Sequence, residues 1–152
     1  MEKILIALDN HSNYHLISSK GSELARALGA SIALLHVFPD TIMNSPDAFS
    51  ALYPTIGTMD IIQPLQPAEE LDIESKKFLD QVKLEINDQT AEIFTTQGDV
   101  ARAILETAES CKANIIVMGS HSRSGIDKIL MGDVAKKVMQ HSHLPLFIIP
   151  VK

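Results

Sequence analysis

The sequence predicts an α/β domain: an open parallel five-stranded sheet with helices on both faces. Three observations lead there. Five short apolar runs alternate with four segments of helical periodicity, the pattern produced by βα crossovers. Each run has strand length and β-branched or aromatic content. The chain has 152 residues, enough for one substantial core and in the range of a single domain.

The strands read as KILIAL (3–8), SIALLHV (31–37), AEIFTT (91–96), NIIVM (114–118) and LFIIP (146–150). The first helix carries Ile17, Gly21, Leu24, Ala25 and Leu28 on one face. Ser12 or Asn13 is placed to cap its start and Gly29 to end it. The second carries Leu71, Ser75, Phe78, Leu79, Val82 and Ile86 at helical spacing. The third carries Ala101, Ile104, Leu105 and Ala108, with Asp99 as N-cap, and the fourth Val134, Ala135, Val138 and Met139. Residues 39–67 contain five prolines and no sustained periodicity. They are expected to form a long variable insert within one domain spanning 1–152, lying as a lid over the ligand site. AEIFTT mixes polar and apolar residues, as an edge strand does. LFIIP is almost wholly apolar, so either it lies inside the sheet or another chain covers it.

Composition narrows the function. Apolar residues make up 45% and charged residues 21%, and the net charge is −6. That charge argues against a nonspecific nucleic-acid or anionic-membrane surface, so neither partner is expected. The single cysteine, Cys111, has no internal disulfide partner; it reads as a half-buried helix residue. No secretory leader is read in MEKILIALDN, and no run reaches the roughly 20 apolar residues of a membrane span. A cytoplasmic location is expected.

Ligands of open parallel sheets sit beyond the strand carboxyl ends, where strand order reverses. With an assumed order of 3-2-1-4-5, that point lies between strands 1 and 4. Strand 1 ends in Ala7-Leu8-Asp9, strand 2 in Val37, and strand 4 in Met118-Gly119. This assembles an acid for a ribose hydroxyl or base amine, apolar groups to sandwich a base, and a glycine for close approach. The loop that follows would add Ser120, His121, Ser122 and Arg123, then Gly132, Asp133 and Val134 at the start of the fourth helix, whose dipole favours phosphate. On residues alone, a plain connecting loop is an equal reading.

A longer likeness sharpens this. VMGSHSRSGIDKILMGDVAKKVMQHSHLPLFIIPV, with the opening KILIALD, ALLHV and QGDVARAILETAESCKANIIVMGSH, resembles the universal stress protein family over nearly the whole chain except 39–67. The resemblance implies an adenine-nucleotide-alpha-hydrolase-like sheet in the order 3-2-1-4-5. It also implies a homodimer paired through strand 5 (146–150), and a regulatory module rather than a metabolic enzyme. ATP-binding members carry G-x2-G-x9-G-[S/T]. Here the matching positions are Gly119, Ser122, Gly132 and Asp133, with the nine residues Arg123 to Met131 intact between the second and third. Ser122 replaces a glycine, unfavourable by roughly 1 kcal/mol where φ is positive. Asp133 replaces a hydroxyl donor by a carboxylate. At about 4–5 Å and an effective dielectric near 20, its repulsion is on the order of 3–4 kcal/mol per phosphate charge before screening. The resemblance therefore implies an adenine nucleotide (AMP, ADP or ATP) with a weakened outer-phosphate site, and Mg²⁺ only as a bridge to bound ATP.

The competing readings are weaker. A slow nucleotide hydrolase or transferase on this fold has only Asp9, Asp133 and His121 for its chemistry. A flavin carrier wants a hydroxyl- and glycine-rich loop after strand 1, whereas DNHSNYH has no glycine and the chain no tryptophan. A phosphoacceptor receiver wants an acidic pair where Asp9 stands alone. His141-x-His143 lacks a third metal ligand and reads as a helix-end histidine pair. His36 reads as a satisfied buried histidine. Glu69, Glu70 and Asp72 read as a solvated first helical turn. No catalytic residue and no metal site is assigned.

Overall fold

The computed structural model describes residues 2–10, 13–38, 68–120 and 131–151. Strands β1 (Lys3–Leu8), β2 (Ser31–Phe38), β3 (Glu92–Gln97), β4 (Ile115–Gly119) and β5 (Leu146–Ile149) alternate with helices α1 (Tyr14–Leu28), α2 (Ala68–Glu85), α3 (Val100–Ser110) and α4 (Asp133–His141). The sheet order is β3-β2-β1-β4-β5, and every pairing is parallel. The expected fold class and strand order hold. Strand bounds shift by one residue at several ends, as fraying ends do. The insert expected at 39–67 lies outside the described residues.

Both faces of the sheet are buried, so its central strands are continuous apolar runs rather than alternating ones. In β1, Ile4, Ile6 and Leu8 join the core beneath α1 and α2, with Ile17, Ala25, Leu34, Leu79 and Val82. Leu5 joins the opposite core with Leu35, Ile104, Ile116, Met118, Ala135 and Val138, beneath α3 and α4. The period of two thus feeds two cores from one strand.

Helix ends follow their local chemistry. Gly29 takes φ 63°, a left-handed conformation, and closes α1 while Ala30 N–H reaches Ala25 O at 2.9 Å. Asp99 accepts from Arg102 N–H at 2.9 Å and caps α3. Asn13 stands at the N-cap of α1, but its side chain makes no capping hydrogen bond; Ser12 lies outside the described residues. Gly21 is a close-contact residue: a Cβ there would meet Ile6 Cδ1 at 2.6 Å. Its absence lets α1 settle onto β1. Two residues of the expected apolar stripes stay outside, Leu28 at 46% and Met139 at 51% exposure.

α2 is held by polar contacts as well as by Leu79, Val82 and Ile86. Ser75 Oγ donates to Leu71 O at 2.7 Å, so it accepts from His36 Nδ1–H at 2.9 Å. That fixes the protonated nitrogen and makes His36 a satisfied, half-buried histidine, as expected. Asp72 corrects the reading of a solvated first turn. It accepts from Thr95 Oγ1 on β3 and pairs with Lys76 Nζ at 2.8 Å. Glu69 and Glu70 are exposed in the first turn.

Candidate functional site at the carboxyl edge of the sheet

The strand order turns at β1, whose two neighbours are β2 and β4. Ligands of open parallel sheets bind beside such a turn, so the expected site lies where β1 and β4 end. Ala7, Val37, Met118 and Val134 all belong to the α3/α4 side, together with Met131 and Ile148. This is an apolar floor with contributions from four strands and the first turn of α4. Asp9 follows β1 directly and is half-buried at its rim. Leu8 is buried in the opposite core; strand alternation turns its side chain away, so it offers the expected site only backbone.

The structure reassigns two groups. Gly119 lacks a side chain for a packing reason: a Cβ would meet Ile17 Cδ1 at 2.7 Å and Val151 Cγ2 at 3.4 Å. Ser120 N–H donates to Ile149 O at 2.9 Å, extending the sheet past the end of β4. That donor is committed to the fold, and Ser120 is itself buried. His121, Ser122 and Arg123 lie outside the described residues.

Gly132 forms the N-cap of α4 with φ −61° and ψ 157°, an extended conformation open to any residue. Glycine brings no side-chain acceptor, so no side chain of the cap residue covers the first N–H groups of this helix. Asp133 is exposed in that first turn, where the helix dipole favours a carboxylate. The same field attracts phosphate, so Asp133 and a phosphate compete for one potential.

Other candidate chemistry resolves into structure. His141 Nδ1–H donates to Lys137 O at 2.8 Å at the end of α4. Among the described residues no three His, Cys, Asp or Glu side chains converge to hold a metal. Cys111 is buried at the C-cap of α3, and burial pushes its thiol above the ordinary range, which disfavours a reactive thiolate. Two cavities lie away from the expected site. One of ≈ 260 Å³ runs between α1 and the end of α2, past Ser18, Ser22, Arg26 and Glu85. One of ≈ 290 Å³ lies where α3 and α4 end, over Leu105, Ile116 and Leu144. Neither includes Asp9, Val37 or Gly119.

Sequence reading missed one group at this edge. Thr96 is half-buried on β3, paired in register with Val37. Alternation in β3 gives its face, that of Phe94, which packs against the core beneath α3 and α4; the register with β2 gives its level.

The sequence model of the Universal stress protein family matches residues 1–150. Stress response protein NhaX of Bacillus subtilis is 26% identical over 161 residues, covering 97% of this chain and 97% of that protein. Universal stress protein UspA from Lactobacillus plantarum superposes with a TM-score of 0.72 at 18% identity, over 97% of both chains. A universal stress protein solved in complex with cAMP superposes with a TM-score of 0.63 at 16% identity, covering 98% of this chain and 96% of that one.

Proposed function

Because this chain belongs to the universal stress protein family, we propose that it is a cytoplasmic, dimeric regulatory module that binds an adenine mononucleotide at the carboxyl edge of its sheet and does not turn it over. One observation supports the reading: Ala7, Val37, Met118 and Val134 share the core beneath α3 and α4, on strands that flank the turn in strand order and in the first turn of α4, and Asp9 follows β1. The family member solved with cAMP supports adenine as the base.

In this reading Asp9 accepts from a ribose hydroxyl. Ala7, Val37 and Met118 pack against the base. The first N–H groups of α4, between Gly132 and Val134, receive the phosphate next to the ribose. Ser122 and Arg123 belong to the same phosphate loop by the family motif. Asp133 limits the site to that phosphate, because its exposed carboxylate repels those farther out. Mg²⁺, if held by this carboxylate, would supply positive charge that offsets the repulsion.

Calorimetry in excess EDTA tests the reading. Affinity should fall from AMP to ADP to ATP, and Mg²⁺ should restore ATP binding. Asp133→Ser should raise ATP affinity at least tenfold, about 1.4 kcal/mol, while changing AMP binding little. Tight ATP binding by the unaltered protein in EDTA would show that Asp133 does not face the phosphates. Release of product from ATP by the purified protein would favour the hydrolase reading.

A further inference from the structure

We infer that Thr96 reads the outer edge of the bound base, its hydroxyl accepting a hydrogen bond from the 6-amino group of adenine. This rests on the nucleotide reading above and adds the group that selects the base. The argument begins with the register. Thr96 of β3 stands beside Val37 of β2. Alternation places it on the same face as Phe94, which packs with the core beneath α3 and α4. That is also the face of Ala7, Val37, Met118 and Val134. Its neighbour Thr95 faces the other way and is committed to Asp72.

The sheet then gives the ligand a direction. Phosphate belongs to β4 and α4, ribose to Asp9 after β1, and base to Val37 on β2. One strand farther on, roughly 4.8 Å away, comes Thr96. A mononucleotide laid across the strand ends in this order turns the edge of its base farthest from the ribose toward β3. Thr96 is half-buried, and among the described residues its hydroxyl makes no hydrogen bond. A desolvated base amine left unpaired would weaken binding, and this hydroxyl is the group in line to receive it.

The test compares AMP with purine riboside 5′-monophosphate, which carries hydrogen in place of the 6-amino group. Calorimetry of the unaltered protein should show roughly three- to tenfold tighter binding of AMP, the size of one net hydrogen bond. Thr96→Val preserves the shape of the side chain and should lower AMP affinity by the same factor. Its affinity for the analogue should not change, so the preference disappears. Thr96→Ser keeps the hydroxyl and should keep the preference. Equal affinity of the unaltered protein for the two nucleotides would overturn the inference even if Thr96→Val failed to fold. So would a preference that survives in Thr96→Val. Those outcomes leave nucleotide binding itself standing. An unaltered protein that binds neither nucleotide would overturn the nucleotide reading and this inference together.

Discussion

At the scale of single residues, Gly119 illustrates how one atom supports two explanations. The family motif gives it a role near phosphate, whereas the structure places Ile17 Cδ1 2.7 Å from where its Cβ would stand. Ile17 is 4% exposed and belongs to the core beneath α1, so it has little room to retreat. Gly119→Ala should therefore destabilise the ligand-free protein by roughly 1–3 kcal/mol, the usual penalty of overpacking. Ile17→Val removes the atom in contact. The pair should be coupled, with the double variant more stable than the two single losses added together. Urea unfolding without nucleotide measures this. An unchanged midpoint for Gly119→Ala would return the glycine to a purely ligand-binding role. The sequence shows that residue 119 must be small, but not which neighbour requires it. The reason is a contact between β4 and α1, from residues more than a hundred positions apart in the chain.

At the scale of elements, apolar periodicity and end signals made most of the architecture readable. Gly29 and Asp99 stop and start helices by local geometry, and local geometry is written in neighbouring residues. Contacts between elements are not. Asp72 looked like one of three acids in a solvated first turn, yet it ties α2 to the edge strand β3 through Thr95. The hydrogen bond from Lys76, and then that from Thr95, holds its carboxyl below its ordinary value of 3.8. The sign follows. A carboxyl with a lowered pKa in the fold contributes stability that is present above its unfolded pKa and lost as pH falls through the folded value. Asp72→Asn should thus be less stable than the unaltered protein at pH 7, with the difference shrinking as pH drops below about 4. Urea midpoints at pH 7, 4 and 3 would follow it. A difference that stays constant to pH 3 would mean the loss is one of shape and not of charge. The site has the same division. Asp9, Val37 and Met118 could be placed because strand ends are legible. Thr96 is legible only in part: alternation in β3 gives its face, but its position level with Val37 depends on the register between β2 and β3. The committed N–H of Ser120 was hidden because its partner, Ile149, lies on another strand.

At the scale of the whole molecule, the two edges of the sheet are unlike, and that predicts how the protein assembles. β3 is guarded: its sequence EIFTTQ is mostly polar, and Glu92 pairs with Lys3 Nζ at 2.6 Å. β5 carries no charge in LFII, pairs among the described residues only with β4, and leaves Phe147 41% exposed. An apolar strand with one free edge is a template for a second copy, and a two-fold axis satisfies both copies at once. Prolines at 145 and 150 bracket the strand and confine the pairing to four residues. So short a ribbon buries less than the roughly 800 Å² per partner of a standard interface, and the dimer should dissociate on dilution. Sedimentation should show a dimer at tens of micromolar, roughly the range in which a modest interface associates, and a growing monomer fraction below it. Ile148→Lys is a poor probe, because Ile148 packs against the core beneath α4 and its loss would harm the fold as well. Phe147→Lys acts on an exposed ring and should give a monomer with an unchanged far-UV spectrum. If the unaltered protein is monomeric at tens of micromolar, β5 is not the assembly edge. If Phe147→Lys remains dimeric, the contact lies on another surface, and the bare β5 edge needs a different partner.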